Sequence, residues 1–274
     1  MNKKEKFYNE LGELLRDYLD RKEKELVVNY LVKNSNLPGR RANIELAKAF
    51  AEISQDLEEN LSKKLWELSE FLISFTVDTA PTNDPKEFLT FCGTWAIAAI
   101  GAMNPEYFRD SLIILKELSK DARWRVREAV AFGLQELLIT HQNAVLTELQ
   151  NWISDRNWLT LRAVAAGISH PSVLKDNITI ETALEIHRAI FSKIRSNNNF
   201  SSEEFKTLKK GLSYTLSVVI YANPEKGFKF LSEYAKTKNI HIQMIIKENL
   251  KKNRLTKNFP KEIISIKKKL EFSL

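Results

Sequence analysis

Glycine and proline are both scarce in this chain, at 8 and 7 of 274 residues. Sandwiches and barrels need such residues at every turn, so their scarcity points to helices joined by short connections. Cys92 is the sole cysteine, which excludes an internal disulfide framework and a multi-cysteine metal cluster. No apolar run approaches the roughly 18 residues of a membrane span. The first residues, "MNKKEKFYNELGELL", lack the apolar core and cleavage site of a secretory signal. Together these absences lead us to expect a cytoplasmic protein with no membrane partner. Among His141, His170, His187 and His241 no pair has the i, i+4 spacing of a helical metal site. With no glycine-rich phosphate loop and no nucleophile elbow, neither a metal nor a cofactor is expected.

Helical periodicity is what the chain has in quantity. Leu11, Leu14, Leu15, Tyr18 and Leu19 form one apolar face, and Leu46, Ala47, Phe50 and Ala51 another. Leu57, Leu61, Leu65, Leu68 and Leu72 repeat the pattern. Spacing of this kind predicts roughly a dozen helices with connections of about 2 to 8 residues. Asn104-Pro105-Glu106 and Asn223-Pro224-Glu225 read as helix starts, with Asn as the cap and Pro at the first helical position. Ser201 with Glu204 reads as a capping box. "TVDTAPTNDP" near residue 80 and "RSNNNFSS" near residue 198 read as hinges or flexible loops.

The stretch "DARWRVREAVAFG" from Asp121 is followed 34 residues later by "DRNWLTLRAVAAG" from Asp155, with no gap. "FLTFCGTWAIAAIGAM" is a weaker copy 33 residues ahead, with Phe91 in the place of Trp124. A period near 34 residues marks stacked helix pairs. The shared alanines let neighbouring pairs approach closely while Val and Ile fill the gaps.

Asp121, Val126, Arg127, Ala129 and Leu134 give "DARWRVREAVAFGL" a form that resembles a HEAT repeat, clearest over about residues 86–170. "IHIQMIIKENLKKNRL" reads as a last, degenerate copy. The resemblance implies an all-α, HEAT-like right-handed solenoid (the armadillo-type class) forming one domain over 1–274. It also implies that Asp121 closes a turn and that Arg127 joins an Asp–Arg ladder. A weaker resemblance, carried by "WRVREAVAFGLQELL" and "NWLTLRAVAAG", is to HEAT-like DNA glycosylases that remove alkylated bases. Their catalytic Asp would fall in "GTWAIAAIGAM", where this sequence has no carboxylate.

The charge is uneven. The net charge is +7, and residues 235–274 hold 11 basic residues against 3 acidic ones, as capping helices that are strongly basic. Trp124, Arg125, Trp158 and Arg162 are the candidate nucleic-acid contacts on a concave face, with Lys251, Lys252 and Arg254 at the basic end. Indoles in these positions have packing as their competing role. Lys247, Lys257 and Lys267 to Lys269 extend the basic end, while Ile263, Ile266 and Leu270 give the last helix one apolar stripe. Glu128 is the one carboxylate placed for acid–base work. Cys92 reads as a small buried hydrophobe and His170 as a helix-end imidazolium. The expected function is a non-catalytic scaffold for a nucleic acid or an acidic protein, the alternative being DNA alkylation repair.

Overall fold

A computed structural model describes residues 3–55 and 59–271. Among them are fifteen helices and no strand, and the chain divides into two compact units, 1–141 and 142–274. The N-terminal unit holds α1 (Lys3–Arg21), α2 (Lys24–Lys33), α3 (Ile44–Gln55), α4 (Glu59–Ile73), α5 (Glu87–Met103), α6 (Pro105–Leu118) and α7 (Trp124–Thr140). The C-terminal unit holds α8 (Gln142–Trp152), α9 (Trp158–Ile168), α10 (Asn177–Arg195), α11 (Glu203–Ala222), α12 (Pro224–Tyr234), α13 (Ile240–Leu250), α14 (Asn253–Thr256) and α15 (Pro260–Glu271). Leu57 of the expected apolar face lies outside the described residues.

In the N-terminal unit α5 lies between α3 and α7, with α4 and α6 behind it. Its sequence is apolar all round, and such a helix is stable only when enclosed. Every residue from Glu87 to Ala102 is buried. Small residues set the spacing. A Cβ on Gly133 of α7 would stand 2.7 Å from the Ala98 Cβ of α5, and one on Gly101 would stand 2.0 Å from the Ser111 Oγ of α6. Glu87 meets Arg125 near the start of both helices while Ala98 meets Gly133 further along, so α5 and α7 run parallel. Consecutive α5 and α6 are antiparallel, since Ser111 donates back to the Ile97 carbonyl.

The C-terminal unit repeats the plan. Trp158 and Arg162 of α9 meet Phe205 and Gly211 of α11, and Phe205 and Leu212 of α11 meet His241 and Asn249 of α13. α9, α11 and α13 therefore run parallel in one layer. α10 and α12 run parallel behind them, tied by the ion pairs Lys226–Glu181 and Arg188–Glu233. α15 packs on α12 with Ile263, Ile266 and Leu270 buried, as its stripe requires. Antiparallel neighbours with parallel alternate helices are the packing of an α-solenoid.

The helix ends follow local chemistry, with three corrections. Asn157, Asp176, Asn223 and Asn239 accept hydrogen bonds from the free N–H groups of the helices they precede. The Asn104 side chain does not cap: its Nδ2 donates back to the Ile100 carbonyl, and Ser62 donates to its Oδ1. The cap of α11 is Ser202, which accepts from Phe205 N at 3.2 Å, because the helix begins one residue later than a Ser201–Glu204 box requires. His170 Nδ1 accepts from Ser172 N, and burial lowers its pKa, so it works as a neutral turn acceptor rather than an imidazolium. Both irregular segments are pinned. Arg123 donates to the Phe75 carbonyl just before the first and to the Ala80 carbonyl within it, and Phe200 of the second packs on Phe205 and His241.

Candidate functional site: a basic face on the C-terminal unit

The repeated Asp residues do the same work in both copies. Asp121 accepts from Arg123 N at 2.7 Å and Asp155 from Asn157 N at 2.9 Å, each closing the turn before its helix. The Asp–Arg ladder is replaced by something more local. The Asp121 carboxylate holds the side chain of Arg123, while Arg127 donates to the Asp121 and Ala122 carbonyls. Arg127 thus ties its own turn.

Arg125, expected on a binding face, is only 3% exposed. Its Nη1 lies 2.9 Å from Glu87 Oε2, and its Nη2 donates to the Gly39 carbonyl at 2.5 Å. Asn83, in the left-handed region at φ 75°, accepts from Gly39 N through its side chain and donates its own N–H to Glu87. The turns before α3, α5 and α7 therefore meet at one guanidinium. Trp124 lies outside it, with the Arg125 guanidinium carbon 4.5 Å from the indole, and is 45% exposed. Arg125 is committed to the interior and offers no fork to a phosphate.

Trp158 has Trp124's place in the repeat and a different environment. It is half-buried, 5.4 Å from the Phe205 ring in an edge-on contact, and so seals α9 against α11. The half-buried Glu128 lies on α7. The carboxylate of α5 is Glu87, which has no exposure and is held by Arg125 and Asn83. The helix where a glycosylase would carry its catalytic Asp is thus enclosed and turns no acid toward a groove. Cys92 is fully buried, and burial raises its thiol pKa well above the ordinary range. Among the described residues no three potential ligands gather as for a metal ion, and no helix is long and apolar enough to cross a membrane.

The remaining candidates converge. Exposed or half-buried residues at i, i+4 spacing mark the outward row of each helix in the α9, α11 and α13 layer. On α9 the row is Trp158, Arg162 and Ala166; on α11 it is Lys206, Lys210 and Tyr214; on α13 it is Ile240, Met244, Lys247 and then Lys251 at its end. Lys252 and Arg254 follow α13 and turn back to α11. Arg254 Nη2 donates to the Tyr214 hydroxyl at 2.7 Å, and its guanidinium carbon stands 4.8 Å from that ring. Lys252 Nζ lies 5.9 Å from the same ring. Two carboxylates accompany these rows, and both are paired: Glu203 with Lys206 and Glu248 with Lys251. The Lys251 ammonium holds the Glu248 carboxyl below its usual range. Tyr214 and Lys210 had no part in the sequence-based site. Their signal was the Lys206–Lys210–Tyr214 spacing, which gains meaning only when Arg254 arrives from 40 residues away.

No family model matches this chain, and no curated protein does. Among solved structures, an engineered protein is 13% identical and covers 87% of this chain and 97% of its own, with a TM-score of 0.30. A computationally designed armadillo repeat protein for modular peptide recognition is 18% identical and covers 81% and 98%, with a TM-score of 0.29. On the packing of its own helices, each unit of this chain is an α-solenoid stack.

Proposed function

We propose that this protein is a binding scaffold that holds an anionic macromolecule along the α9, α11 and α13 face of its C-terminal unit. The observation that carries this reading is the arrangement around Tyr214. Arg254 and Lys252 come from beyond α13 to flank it, and Lys206 and Lys210 precede it on one row. The two carboxylates of the face already hold lysines, so Lys210, Lys247, Lys252 and Arg254 leave it a cationic surplus of about four.

Such a surface binds polyanions through release of condensed counterions, which makes affinity fall steeply with salt. For about four neutralised phosphates, raising salt from about 50 to 200 mM should weaken binding on the order of 50- to 150-fold. Fluorescence anisotropy with labelled heparin, single-stranded DNA and duplex DNA at the two salt concentrations measures this. Lys210→Glu with Arg254→Glu should abolish the steep dependence. Absence of binding to all three probes at the lower salt would overturn the reading.

A further inference from the structure

The Tyr214 cluster does more than attract charge. Its ring is 51% exposed, yet the hydrogen bond and guanidinium contact from Arg254 fix it in place. The hydroxyl bond anchors Arg254 to Tyr214, and half of the tyrosine stays open to solvent. Two turns on, about 10 Å along α11, Tyr221 is 50% exposed and rests edge-on against Phe259. Along α11 the outward positions therefore run cation, cation, aromatic and aromatic.

Resting on the scaffold reading above, we propose that the partner is a single-stranded nucleic acid. One base stacks on Tyr214 while its neighbouring phosphates sit against Arg254, Lys252 and Lys210. Two physical facts select this occupant. An aromatic ring stacks on any base but reaches only bases that are not already stacked in a duplex. An acidic peptide would use the cations and leave the tyrosines without partners. A half-open tyrosine with Lys210, Lys252 and Arg254 around it offers a ring to a base and cations to the phosphates on either side.

The test is anisotropy with labelled oligo-dT of 12 nucleotides, a 12-base-pair duplex and labelled heparin, on the full chain. Tyr214→Ala should weaken oligo-dT binding by about 5- to 150-fold, the range for loss of one base–aromatic stack, and weaken heparin binding far less. Tyr214→Phe, which keeps the ring, should stay within about 3-fold of the parent on this account. Thermal unfolding of each variant separates a folding defect from a binding one. Heparin binding without preference for oligo-dT over duplex overturns this inference and leaves the scaffold reading standing. So does a Tyr214→Ala variant that binds oligo-dT as the parent does. Failure of all three probes overturns both.

Discussion

Replacing Arg125 with alanine should destabilise the N-terminal unit by about 3 to 5 kcal/mol, the cost of stranding one partner of a buried ion pair. Glu87 has no exposure, and removing the guanidinium leaves its carboxylate with the Asn83 N–H alone. The Gly39 carbonyl loses its Arg125 donor in the same step, so the turn before α3 loosens with the turn before α5. Urea unfolding of parent, Arg125→Ala, Glu87→Ala and Arg125→Met/Glu87→Leu measures the effect. The double apolar variant should be closer to the parent than either alanine variant, because it removes both charges from the interior together. Single variants within about 0.5 kcal/mol of the parent, as for an ordinary surface change, would show that Arg125 is not the clamp described.

Acid should weaken the C-terminal unit through His187. The ring is fully buried between α10 and α11, its Nδ1 donating to the Ala183 carbonyl at 2.7 Å and its Nε2 accepting from Thr215 at 3.1 Å. Burial lowers its pKa from 6.5 to about 4, opposed in part by the bond to Ala183. A group with a depressed folded pKa binds protons more readily when unfolded. Its contribution is therefore intact above pH 6.5 and is lost as pH falls toward 4. The difference amounts to about 3 kcal/mol. Unfolding free energies between these limits, for the parent and His187→Gln, should show a clearly steeper slope in the parent than in the variant. Equal slopes would place the titrating group elsewhere.

Much of the fold is written locally, which is why it reads from the sequence. The apolar stripes of α1, α3 and α15, the Asn223 cap and the burial of Cys92 each depend on residues within one or two turns. The 34-residue copies predict the two turns closed by Asp121 and Asp155 for the same reason. What does not read is whatever depends on distant partners. Arg125 begins its helix with no local sign of Glu87, 38 residues back, or Gly39, 86 residues back. By composition the segment before α5 is a flexible loop, and only partners distant in sequence, Arg123 at the start of α7 and Gly39 before α3, show that it is held. Ser201 and Ser202 are adjacent cap residues, and where α11 begins decides between them. The site divides in the same way. The basic end is plain in the sequence, whereas Tyr214 becomes a binding feature only beside Arg254.

The central claim, that the partner lies on the α9, α11 and α13 face, is tested most directly by lysine footprinting. The full chain is acetylated briefly with and without saturating oligo-dT or heparin, and modification is read at each lysine by mass spectrometry. The account predicts protection of Lys210, Lys247 and Lys252, with unchanged labelling of Lys226, Lys229 and Lys236 at the α10 and α12 face and of Lys33 and Lys48 in the N-terminal unit. Protection confined to that second group of lysines, with Lys210, Lys247 and Lys252 labelled as in the free protein, would contradict it.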